Sequence, residues 1–67
     1  MSTWWDRSVA RYVGLLCERY TIDELAAMPF AKIVDAAVEV IEAHPSSLFE
    51  CSDDIHEMAD LMANHVA

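Results

Sequence analysis

With 67 residues the chain has room for one domain, 1–67, and a domain of this size buries only about 60% of the surface its unfolded form exposes. The formal charge of −8 is unevenly spread: residues 1–20 hold three arginines against two acids, whereas residues 21–67 hold ten acids against Lys32 alone. Such a field argues against direct binding of nucleic acid, whose phosphates repel it, and the regularly spaced Ile, Val, Leu, Met and Ala argue against a disordered acidic tail.

In chain order, Thr3 stands three residues before Asp6 as a helix cap, and Trp5, Val9, Tyr12, Val13, Leu16 and Tyr20 then recur at helical spacing. This predicts a first helix of four to five turns, with Arg7, Arg11, Glu18 and Gly14 on its polar side. Gly14 costs about 1 kcal/mol against Ala in a helix interior, so it marks a kink or a close contact. Thr21-Ile-Asp-Glu24 has the pattern of a capping box, in which the Thr hydroxyl accepts from the backbone three residues on while Glu24 reaches back to the cap. A short second helix is expected to run to about Met28. Pro29 ends it and suits the first turn of a third helix, which runs to about His44 and is closed by Pro45. Ser47-Leu-Phe-Glu50 offers a further capping pattern, with Ser52 or Asp53 restarting the last helix. The β-prone Val38-Glu39-Val40-Ile41 lies inside a long 3.6-residue pattern, which favours helix over strand. The expected fold is all-α, a compact bundle of three to four short helices.

On the third helix Phe30, Ile33, Val34, Ala37, Val40 and Ile41 share one face, and Asp35, Glu39 and Glu42 line the opposite one. On the last helix Ile55, Ala59, Met62 and Val66 form the apolar face, with Asp53, Glu57 and Asp60 on another. Both acidic sets follow i, i+4, i+7. Carboxylates four residues apart stand about 6 Å apart along the axis, close to the separation of neighbouring phosphates on a nucleic-acid strand. These six acids are therefore candidate contacts for a basic surface on a partner protein. The alternative is that they fill the solvent faces of acidic amphipathic helices.

A 55% hydrophobic content in so short a chain points to an apolar surface that meets another chain, and a homodimer or an obligate partner is expected. Trp4 and Leu15 fall beside Arg11 rather than on the main apolar face, and Leu61 projects among acids. Trp4, Arg11, Leu15 and Leu61 are therefore candidate dimer contacts, unless the bundle wraps the first helix on two sides and makes them core. Cys17 and Cys51 lie in no redox motif and are expected to be reduced, partly buried thiols.

Other chemistry finds little support. Cys51-x₄-His56 with His44 lacks the close ligand pairs of a zinc site, and neither cysteine is set in a nucleophile pattern with a base and a third orienting group. His44 is expected to support a helix C-terminus, and His56 and His65 to be surface residues. The Asp-Ser-Leu attachment sequence of carrier proteins is replaced by Ser46-Ser47-Leu48. No enzyme, cofactor or metal is expected. No stretch approaches the roughly 20 apolar residues of a membrane span, and no secretory signal is read at the N-terminus, so a soluble cytoplasmic protein is expected.

A 67-residue acidic helical chain that begins Met-Ser-Thr-Trp-Trp-Asp and lacks a catalytic motif resembles small phage-encoded inhibitors, especially those of the anti-CRISPR kind. The resemblance implies an inhibitor that acts in the host cytoplasm, occupying the nucleic-acid path of a nucleoprotein complex. A helical homodimerisation or adaptor module, or a small regulatory subunit binding through apolar surface, is the other reading.

Overall fold

Tyr12 sits where three parts of the chain meet. It is 1% exposed, its hydroxyl donates to the backbone carbonyl of His44, and its ring meets Phe49 edge-on at 5.5 Å between centroids. The computed structural model describes the backbone of residues 3–67 and the side chains of residues 6–67; within it four helices run α1 (Thr3–Arg19), α2 (Ile22–Ala27), α3 (Phe30–Ala43) and α4 (Ser52–Val66). No strand occurs among the described residues. The all-α bundle expected from the sequence is what forms. The side chains of Thr3, Trp4 and Trp5, expected as cap, dimer contact and apolar face, lie outside the described set.

The α3–α4 pair is the most extensive helix contact, α1 packs against both, and α2 touches α4. One hydrophobic cluster fills the centre: Tyr12 and Leu16 from α1, Leu25 from α2, five residues of α3 and four of α4. No polar or charged side chain is buried among the described residues. The radius of gyration of 11.1 Å matches the roughly 11 Å of a folded chain this long.

Local chemistry sets each helix end. The capping box at α2 is complete: the Thr21 N–H donates to Glu24 Oε1 at 3.0 Å and the Glu24 N–H to Thr21 Oγ1 at 3.1 Å. Pro29 stops α2 and serves as the N-cap of α3, its carbonyl accepting from the N–H groups of Lys32 and Ile33. His44 is the C-cap of α3, as anticipated. The Ser47 capping pattern does not start a helix. Residues 46–49 instead form a turn, with the Phe49 N–H donating to the Ser46 carbonyl and the Leu48 N–H to Ser46 Oγ, which leaves Phe49 free to meet Tyr12. Cys51 is the N-cap of α4 without a side-chain bond, and Asp54 Oδ2 accepts from the Glu50 N–H at 3.0 Å just ahead of the helix.

Three details of the core differ from the helical periodicity. Phe30, expected on the core face, is 47% exposed, because at the first residue of α3 it projects beyond the layer that α4 covers. Ala36, Met58 and Ala63 are buried beside the anticipated residues, and Ile55 and Val66 are only partly so. α4 packs against both α1 and α3, so its buried face is broader than a single stripe. Gly14 marks no close contact: a Cβ built there meets no heavy atom within 4 Å.

Two stability outcomes follow. Tyr12→Phe removes the donor to the His44 carbonyl and is expected to lower unfolding stability by about 1 kcal/mol, read as a lower urea midpoint by circular dichroism. Gly14→Ala fills open space on a helix and is expected to raise stability by about 0.5–1 kcal/mol in the same assay.

Candidate functional site

The surface of α3 and α4 carries the acids that the sequence singled out. Asp35, Glu39, Glu42, Asp53, Glu57 and Asp60 are all exposed. On each helix the three lie opposite the buried residues, Ile33, Ala37 and Val40 on α3 and Met58, Ala59 and Met62 on α4, so each row points away from the bundle. Their positions follow from amphipathicity: the core claims one arc of each helix, and the acids fill the arc left in water. The only base in residues 21–67, Lys32, sits one turn before Asp35 and borders a shallow groove of about 250 Å³ with Tyr20, Met28, Asp35, Ala36 and Glu39. Asp53 also lies in the first turn of α4, together with Asp54, where the helix dipole favours negative charge. Like charges at i, i+4 repel by a few tenths of a kcal/mol, so the rows form because the core holds the helices, not because the acids help.

The candidate dimer contacts do not share one patch. Arg11 lies over the Tyr12 ring at 5.7 Å, and Leu15 is half-buried against the core. Leu61 is 37% exposed and lines a groove of about 480 Å³ between α1 and α4 with Asp6, Val9, Ala10, Asn64 and His65. The placement of Leu15 follows from α1 packing against two helices rather than one.

Two apolar notches were not anticipated. One, of about 300 Å³, is lined by Val13, Cys17, Ile22, Leu25, His65 and Val66. The other, of about 320 Å³, lies across the Leu25/Val66 contact and includes Met28, Phe30 and Ile33. Ile22, 74% exposed, stands at the first, and Phe30 at the second. Both are the first residues of their helices, next to the caps Thr21 and Pro29. A large apolar side chain directly after a capping residue, off the core stripe, is the signal by which sequence reading could have found them.

Cys17 and Cys51 are unpaired and exposed, not partly buried: Cys17 lies on the flank of α1 and Cys51 precedes α4. No group of three or more His, Cys, Asp or Glu side chains that could hold a metal ion occurs among the described residues. No described helix is long and apolar enough to cross a membrane. Both thiols are expected to be alkylated by iodoacetamide in the folded protein without denaturant, giving two adducts by intact mass. Comparison with protein-family models, curated proteins and solved structures yields no match to the chain.

Proposed function

We propose that this chain is a small acidic helical inhibitor or modulator that binds a basic, nucleic-acid-binding surface of a host protein complex in the cytoplasm. The observation that supports it is the set of six exposed carboxylates on the outer faces of α3 and α4, with Lys32 the only base in residues 21–67. A groove lined with Arg and Lys to hold phosphates offers the complementary field, and packed helices present the acids on a rigid base. Oligomerisation enters as a second reading because Leu61 is exposed beside the groove between α1 and α4. There a homodimer or adaptor module would bind through apolar surface.

The two readings separate by salt. Used as bait in a bacterial lysate, the protein is expected to retain a nucleic-acid-binding complex at low salt, and to release it at moderate salt or on addition of DNA or RNA. Glu39→Lys with Glu57→Lys is expected to abolish capture while the far-ultraviolet circular dichroism stays unchanged, since both residues are exposed. Capture that neither salt nor these substitutions weaken, but Leu61→Ser does, selects the apolar reading.

A further inference from the structure

We infer that the two notches around the Leu25/Val66 contact form one docking groove for a basic amphipathic helix of the partner protein. The inference rests on the reading that the partner is basic. The notches share Leu25 and Val66, so they lie side by side across one ridge, and Ile22 and Phe30 stand beside them as exposed apolar walls. Each opening, at about 300 Å³, is sized for a large aliphatic or aromatic side chain. Two adjacent apolar notches match the way an amphipathic helix presents anchors at i and i+3 or i+4.

Charge selects the occupant. The elements that build the groove carry Glu18 on α1 and Asp23 and Glu24 on α2, all exposed, and α2 has no base. A second copy of this chain would bring a further −8 to the contact. A helix with Lys and Arg flanking its apolar anchors instead places positive charge on the acidic rim while burying Ile22 and Phe30. His65, at the rim of the first notch, is the one titratable group on α4 that lines it.

Cys17 reports occupancy directly, because it lines the first notch, whereas Cys51 sits at the opposite end of α4, about 21 Å away along the helix at 1.5 Å per residue. The experiment measures iodoacetamide alkylation of both thiols by peptide mass mapping, with a synthetic Leu/Lys amphipathic helical peptide as probe and a Leu/Glu peptide of the same pattern as control. At a Leu/Lys concentration about ten times its Kd, Cys17 is expected to react about tenfold more slowly while Cys51 is unchanged. Ile22→Ser and Phe30→Ser are expected to remove that protection with the helical signal retained. Equal protection by the Leu/Glu peptide overturns the basic occupant, and protection that appears on raising the protein's own concentration assigns the groove to a second copy and overturns it as well. If the Leu/Lys peptide binds by fluorescence anisotropy, leaves Cys17 unprotected and is lost in the Glu39→Lys, Glu57→Lys variant, the groove inference fails while the acidic-face reading stands.

Discussion

The hydrogen bond from Tyr12 to the His44 carbonyl ties the middle of α1 to the end of α3, and most of the architecture depends on it. A helix C-terminus leaves carbonyls without intrahelical partners, and one in a partly buried position must be satisfied or it costs free energy. Tyr12 does this while burying its ring in the core, so one residue both fills volume and closes a helix end. Phe49 packs edge-on against the same ring, which holds residues 45–51 across the end of the bundle and sets where α4 begins. Arg11 covers the ring from the other side of the helix turn, a cation over an aromatic face.

With that corner fixed, the remaining core is built of small and unbranched side chains. Ala36, Ala37, Ala59 and Ala63 let the α3 and α4 backbones approach closely, and Met58 and Met62 fill the irregular space that remains. Because the core accepts no charged side chain, every acid of the described residues is forced to the surface. The strong negative field is therefore a property of the outer arcs, and it persists whichever neighbour the protein meets.

Much of this was legible in the sequence because it is local. The Thr21 box, the two prolines and the 3.6-residue spacing define where helices begin and end through bonds within a few residues. The acidic rows on α3 and α4 were legible for the same reason, since one helical turn fixes which side chains share an arc. What was not legible is tertiary. The partner of the Tyr12 hydroxyl lies 32 residues away, Phe49 looked like part of a cap rather than of the core, and the half-burial of Leu15 depends on a second helix arriving against α1. The notches beside Ile22 and Phe30 exist only where three separate helices leave a gap, which no single periodicity describes.

The shortness of α2 has a consequence of its own. Six residues are far fewer than the roughly 12–15 at which an isolated helix becomes even marginal in water, and only Leu25 of this segment is buried. α2 is held by a capping box at one end and one apolar side chain in the middle, with proline interrupting its link to α3. Its opening thus exposes little apolar area and breaks few bonds, so it costs much less free energy than unfolding of the bundle. The segment that walls the two notches is the part of the molecule that moves most cheaply, while α1, α3 and α4 keep the rest in place.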